Sequence, residues 1–285
     1  MKQVGYTLVE LIIALALGLI IIAAAFQLLI GGQSTLSFQS AINNIQDNAN
    51  IGVNYITTDL HHANLNFANR DMTKSTVSGF VIAADNYPRT MTNGLLSQGS
   101  VGPSFASIGS TANSSDVLVI QYKPVATNGF DCEGRRITTT NNVIVQRYFL
   151  RTDNTTGDLA LACDAGSYVA TSGATVVGFG DNGQVILQRV DQFKVLVGVI
   201  TASGQRAYLT LQQLSAQPAT TKVVSAQIGL IVRSVENSGT NTVLPETYNL
   251  FGQNYIVSNP PNITGNFLRI PLEQTVAFRN ALGGV

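Results

Sequence analysis

At 285 residues the chain has room for one large domain or two small ones. Charged residues make up 11% of it and the formal net charge is +0, against about a quarter charged residues in ordinary globular chains, so bulk charge argues against an electrostatic nucleic-acid binder. The polar surface falls to Asn, Thr, Ser and Gln, abundant from Thr76 onward, a pattern common in exported β-rich proteins.

The chain opens on Gly5-Tyr6-Thr7-Leu8-Val9-Glu10, and an apolar run follows from Leu11 to Phe26, resuming after Gln27 as Leu28-Leu29-Ile30. With Leu8 and Val9 in front, this is long enough to cross a bilayer core as a helix of about 20 residues. Glu10 is its one charge, and a carboxylate costs roughly 2.5–3.5 kcal/mol at the centre of such a helix, less near an end. Lys2 is too far N-terminal to neutralise it and the next charged residue is Asp47, so a partner from another chain is expected. Three plainer readings compete. A secretory signal peptide would use Leu11 to Ile22 as its apolar region and be cut at Ala23-Ala24-Ala25, starting the mature chain at Phe26. The acidic residue before that region, and an apolar pattern that runs on past the cut, oppose it. A plain uncleaved anchor leaves Glu10 an unexplained cost, and a core helix of a soluble protein would show a polar face.

A short leader with a Lys that ends in Gly5, then Tyr6, Thr7, Leu8, Val9, Glu10 and a long apolar helix resembles the class III signal of type IV prepilins. The resemblance implies that a membrane aspartyl protease cuts after Gly5, that the new amine of Tyr6 is N-methylated, and that Glu10 helps dock the subunit into a growing fibre. The freed Tyr6 amine is a cation available to the Glu10 of a neighbouring subunit, and pairing in a low-dielectric bundle sets the axial register of two helices.

From Gln33 to about Asn66 there is no Pro, and Phe38, Ile42, Ile45, Ala49, Val53, Ile56, Leu60 and Ala63 recur in steps of three and four, one stripe on one helix face. Apolar and amphipathic halves read as one helix of about 60 residues, about 90 Å long. The expected organisation is a leader over 1–5, a helix over 6–66 with its membrane part at 8–30, and a β-rich body over 67–285. Gly18, Gly31, Gly32 and Gly52 lie inside the helix, each costing up to about 1 kcal/mol relative to Ala, and Gly52 reads as tolerated local flexibility or close packing. Many major pilins carry a Pro where Gln27 stands, so a kink here would fall to Gly31-Gly32. His61 and His62, beside Asp59, are adjacent and point about 100° apart, so they read as solvated helix-end residues rather than a metal pair.

After Phe67 the period changes. Thr76 to Ala83, Val117 to Tyr122, Val143 to Leu150, Leu159 to Cys163, Val185 to Val190, Phe193 to Val199, Tyr208 to Leu211, Val223 to Val232 and Phe267 to Leu272 are short β-branched or aromatic runs. They are separated by turn signals such as Asn93-Gly94, Asn128-Gly129 and Ser203-Gly204. An antiparallel sheet with hairpins is expected, giving an α+β fold, with long loops at Asn86 to Asn113 and Ser234 to Asn266. Cys132 and Cys163 are most simply a disulfide in an exported body, worth about 3–4 kcal/mol for a loop of about 32 residues. Gly178 to Gly183 matches GxGxxG, but a strand pattern follows it, so it reads as a hairpin turn and not a pyrophosphate site. Asp153, Asn154 and Asp158 lack the spacing of a calcium loop. No nucleophile elbow, catalytic Cys–His pair or carboxylate pair is recognisable, so neither an enzyme, a metal nor a cofactor is expected.

Ser115 to Tyr122, Val190 to Val195, Ala226 to Ser234 and Thr275 to Asn280 resemble the recurring body segments of PilW-type minor pilins. One departure is Asp59-Leu60-His61-His62-Ala63-Asn64, where that branch often has Arg in place of His61 and Gly in place of Asn64. The resemblance implies a low-abundance subunit, anchored once in the inner membrane of a Gram-negative cell with its body in the periplasm. It implies partners too: prepilin peptidase, inner-membrane lipid, the assembly platform, other minor pilins and the major pilin. Such a subunit primes pilus assembly and ends at or near the tip, in the service of twitching, adhesion or DNA uptake. A J-type pseudopilin of a type II secretion system uses the same signal and helix, and a membrane-anchored periplasmic binding or adhesin domain is the alternative from another class.

Overall fold

A computed structural model describes residues 5, 7–88, 91, 94–109, 111–170, 175–238, 244–261 and 263–281. Tyr6, and Asn93 of the Asn93-Gly94 turn signal, lie outside the described residues. Helix α1 (Leu8–His62) runs 55 residues without a break. Its buried side is Ala41, Ile45, Ala49, Gly52, Ile56 and Leu60. Compared with the stripe read from the sequence, Ala41 and Gly52 replace Ile42 and Val53 at the centre of the contact. The reason is space: a Cβ on Gly52 would stand 2.9 Å from the Leu187 Cβ, so the bare glycine lets the helix lie close on the body.

The helix ends at His62 because Ala63 is extended and Asn64 is left-handed, with φ 63°. The chain then turns over the helix end. Thr76 to Ala83, expected as a strand, makes one bridge, from Phe80 to Ile120. Gly79 lies so close to Asn64 that a Cβ there would meet the Asn64 nitrogen at 1.9 Å, and the segment bends round that residue instead of lying flat.

The body holds β1 (Gln98–Ile108), β2 (Thr111–Tyr122), β3 (Asn142–Thr152), β4 (Leu159–Val169), β5 (Gln184–Gln188), β6 (Val190–Ile200), β7 (Arg206–Thr210), α2 (Leu211–Ser215), β8 (Lys222–Asn237), β9 (Thr247–Leu250), β10 (Gln253–Val257) and β11 (Phe267–Ala277). Two antiparallel sheets result, one in the order β5-β4-β3-β2-β1-β10-β9 and the other β11-β8-β6-β7. The expected loops at 86–113 and 234–266 therefore contain strands: β1 in the first, β9 and β10 in the second. Val185 to Val190, read as one run, divides at Arg189, where φ is 57°. That single left-handed residue sends β5 into the large sheet and β6 into the small one.

Ile45, Ile56 and Leu60 of α1 share one core with Leu118, Tyr148 and Leu161 of the large sheet and Phe193, Leu230 and Phe278 beyond it. Each large aliphatic buried there contributes about 1.5–3 kcal/mol. A second cluster, Val81, Tyr87, Val119, Val143, Val145 and Tyr168, fills the space behind the large sheet. At the seam between the sheets Asp191, fully buried, takes Arg233 at 3.3 Å and Arg269 at 2.7 Å, while Asp158 takes Arg189 at 3.3 Å and also Arg233. Burying such charges is tolerable only because each faces opposite charge at hydrogen-bond distance.

Candidate functional site

The site begins at the helix N-terminus. Thr7 is the N-cap: its hydroxyl accepts from the Glu10 N–H at 3.3 Å, and the Glu10 carboxylate accepts from the Thr7 N–H at 2.9 Å and its hydroxyl at 3.0 Å. This is a capping box. The partner that sequence reasoning sought in another chain is thus met in part by neutral donors three residues away, and Thr7-x-x-Glu10 was the legible signal for it. Nothing charged is among these partners.

Behind the cap, every large apolar side chain from Leu8 to Ile30 is more than half exposed. The helix carries a stretch with mean hydropathy 2.8, of which 0% is buried against the rest of the chain. In water such a surface is far beyond the patches soluble monomers leave open, so it belongs in lipid or against other helices. Gly18, Gly31 and Gly32 have open space where a side chain would stand. Only from Ala41 onward does α1 bury residues of its own chain.

The other end of α1 is locked. Asn64 takes the left-handed position that suits Gly, and its side chain uses the opportunity: Oδ1 accepts from the Gly79 N–H at 2.8 Å, and Nδ2 donates to the carbonyls of Asn69, Arg70 and Asn280. Asn280 Nδ2 in turn donates to the His61 and Ala63 carbonyls at 3.0 and 3.1 Å, satisfying helix-end acceptors that would otherwise lack donors. The His62 ring lies 5.5 Å from that of Tyr122, and what it buries there lowers its pKa. Asp59 accepts a hydrogen bond from the buried Tyr148 hydroxyl, and burial pushes its carboxyl up to about 6.

Cys132 and Cys163 form a disulfide, with Cα atoms 6.0 Å apart. It ties the 131–136 loop to β4. Arg135 pairs with Asp131 at 3.0 Å and with Glu133, and donates to the Ala165 carbonyl, so it is a local tie. Glu133, Asp164 and Asp181 stand together here, faced by Arg135 and by Arg147, which is 2.9 Å from Asp164. Gly183, at the end of the GxGxxG stretch, leads into β5; its φ is 57° and a Cβ would meet the Cys163 carbonyl oxygen at 2.3 Å. Asp153 and Asp158 close a turn through backbone and Asx hydrogen bonds, and the Asp158 carboxylate turns away to Arg189 and Arg233.

The four body segments singled out in the sequence each carry a polar tie of the body: Gln121 on β2 to the Ser78 carbonyl, Asp116 on β2 to Lys194 on β6, Asp191 on β6 to Arg233 on β8, and Asn280 after β11 to the His61 carbonyl. Residues 1–26 match the family model for the prokaryotic N-terminal methylation motif, and residues 147–280 match that for Type IV Pilus-assembly protein W. No curated protein matches the chain. Among solved structures, a type IV-like pilin from Thermus thermophilus aligns over 83% of this chain and 96% of its own at 13% identity with a TM-score of 0.40, a likeness too low to add to the fold seen directly. With the methylation motif at its N-terminus and the assembly-protein domain through its C-terminal half, the chain is a PilW-type minor pilin of the type IV pilin superfamily.

Proposed function

We propose that this subunit is cut after Gly5, methylated on the amine of Tyr6, held in the inner membrane by the exposed half of α1, and then drawn into a priming complex with other minor pilins that ends at or near the pilus tip. The observation that carries the reading is the helix from Leu8 to Ile30, unburied by the described residues of its own chain, with one carboxylate whose partners among the described residues are the neutral donors of Thr7. Glu10 is then free to exchange Thr7 for the Tyr6 amine of a neighbouring subunit, an opposite charge in place of a neutral donor, which is favoured in a low-dielectric bundle. A body of more than two hundred residues also suits a capping place better than close axial repetition.

The mature N-terminal peptide, read by mass spectrometry from cells with and without prepilin peptidase, tests the processing. N-methylated Tyr6 that disappears without the peptidase is expected, and a chain starting at Phe26 or Met1 sinks it. Deletion of the gene then tests the system: loss of piliation and twitching is expected, whereas loss of exoprotein secretion assigns the subunit to a type II system. Subunit counting that finds the protein along the whole fibre ends the tip assignment.

A further inference from the structure

The disulfide does more than close a loop. Cys132 and Cys163 stand directly before Glu133 and Asp164, so the bond that holds their Cα atoms 6.0 Å apart also holds two carboxylates together. Asp181 joins them from the turn that leads into β5. One carboxylate oxygen from each of the three lies within 4.8 Å of the other two. Like charges this close repel unless positive charge stands between them.

What the chain supplies is incomplete. Glu133 Oε2 accepts from the Ala165 N–H at 3.2 Å and from Arg135, Asp164 Oδ2 accepts from the Gly180 N–H and from Arg147, each at 2.9 Å, and Asp181 Oδ1 accepts from the Gly183 N–H at 2.7 Å. One oxygen of each carboxylate is left without a donor among the described residues, and that of Asp164, Oδ1, belongs to a side chain that is 0% exposed. An ionised oxygen buried in this way is costlier than any neutral orphan. The cations at hand are already shared. Arg135 is divided between Glu133 and Asp131, and Arg147 lies over the Phe149 ring at 4.0 Å while it pairs with Asp164. Arg151 donates to the Gly183 carbonyl and pairs with none of these carboxylates. Four acidic groups on two paired guanidiniums leave two negative charges over, the charge of one divalent cation.

We propose that Glu133, Asp164 and Asp181 together bind a Ca²⁺ ion. All three donors are hard carboxylate oxygens, with no sulfur or imidazole among them, which suits Ca²⁺ over a transition metal. Oxygens on opposite sides of Ca²⁺, each at about 2.3–2.6 Å, stand roughly 4.6–5.2 Å apart, so three oxygens within 4.8 Å of one another can surround it. Those distances are shorter than the hydrogen-bond approach of a water molecule, about 2.8 Å, so an oxygen closed to water is not closed to this ion. An open hollow lined by Glu133, Asp181, Asn182 and Gln184 gives the ion its way in, and water completes its coordination. Bound there, it pins the Asp181 turn to β4 beside the disulfide. The inference goes beyond the assembly role and stands on these residues alone.

The test is calorimetric titration of Ca²⁺ into the full chain in non-ionic detergent micelles, after EDTA treatment and dialysis, with thermal unfolding followed in parallel. One site with a Kd of about 0.1–1 mM, the range of extracellular calcium modules, is expected, and a Tm higher by about 3 °C or more at about 10 mM Ca²⁺. Mg²⁺, which sheds its water reluctantly and needs near-octahedral ligands, should bind at least about tenfold more weakly. Asp181→Asn keeps the acceptor for the Gly183 N–H and breaks no ion pair among the described residues. Without Ca²⁺ it should therefore melt as the wild type does, while its affinity for the ion falls at least about tenfold. Asp153→Asn, in the turn between β3 and β4, should leave the affinity unchanged. Absence of both heat and Tm shift at about 10 mM Ca²⁺, equal binding of Mg²⁺, full affinity in Asp181→Asn, or loss of binding in Asp153→Asn overturns the proposal.

Discussion

Asp59 is the residue whose replacement should make this protein more stable. It sits one turn before the end of α1, accepts from the buried Tyr148 hydroxyl, and has Asp131 and His62 as neighbours on the same side of the body. Burial raises its pKa from 3.8 to about 6, the Tyr148 hydrogen bond pulls it down by less, and Asp131 adds to the rise. The folded state therefore holds this proton more tightly than the unfolded chain. Its contribution to stability is complete below about pH 4 and is lost as pH rises through about 6. A rise of about two units, at 1.36 kcal/mol each, makes the loss about 3 kcal/mol by pH 7. Asp59→Asn keeps an acceptor for Tyr148 and removes the charge. Urea unfolding of the full chain in detergent, followed by tyrosine fluorescence at pH 4, 5, 6 and 7, should give curves for the two proteins that nearly coincide at pH 4 and diverge to about 2–3 kcal/mol in favour of the variant at pH 7. Other carboxyls and His62 titrate in both proteins, so the difference isolates Asp59. A variant less stable than the wild type at pH 7, with an unchanged dependence on pH, refutes the reasoning and makes the carboxylate a structural acceptor whose charge is needed.

Three further outcomes are expected. Glu10→Gln should leave urea unfolding of the body unchanged, because the site is exposed, while abolishing incorporation into sheared pili on immunoblots. Arg233→Met strands Asp191 and Asp158 with fewer partners in the seam between the sheets and should cost about 3–5 kcal/mol in urea unfolding. Replacing both cysteines with serine should cost about 3–4 kcal/mol, with proteolysis first appearing in the 131–136 loop.

How far the fold could be read in advance depended on what kind of signal each element carried. α1 was legible because its period and length are strong, and β2, β3, β4, β6 and β8 because runs such as Val117 to Ile120 are β-branched and buried. β1 was hidden since Gly99, Gly102 and Pro103 punctuate it as a loop would; it is a strand held by pairing with β2 and β10, not by its own propensity. β9 and β10 were hidden by brevity, although Tyr248, Leu250, Tyr255 and Val257 alternate around Phe251-Gly252. At the site, the Thr7–Glu10 capping box was written in plain spacing, whereas the buried Asp191–Arg233–Arg269 contacts join residues up to 78 apart in sequence and no local pattern encodes them. The Asn64 departure is instructive in the same way. The residue differs from the Gly common in its branch, and the left-handed backbone shows why Asn serves: it tolerates the geometry and adds four hydrogen bonds that Gly could not make.

These ties define where the molecule divides. From Ala41 to Asn64 the helix is fixed by its buried stripe, by Gly52 against Leu187, and by Asn280 over its last carbonyls. From Leu8 to Leu36 its large apolar side chains are exposed, and Gly31 and Gly32 lie within that stretch with open space where a side chain would stand. The two halves are thus stabilised by different things. The body has its own core, disulfide and ion pairs, while the described part of the first half of α1 has its backbone hydrogen bonds, its cap and the Thr35 hydroxyl on the Gly31 carbonyl, which in water are marginal for any isolated helix. On the proposed reading, leaving lipid is unfavourable unless other helices cover the same apolar surface at once, and a Glu10 not met by a neighbour's opposite charge makes the wrong axial position costly. The subunit can therefore enter a fibre only by direct exchange of lipid for neighbours, with the body following as a finished unit.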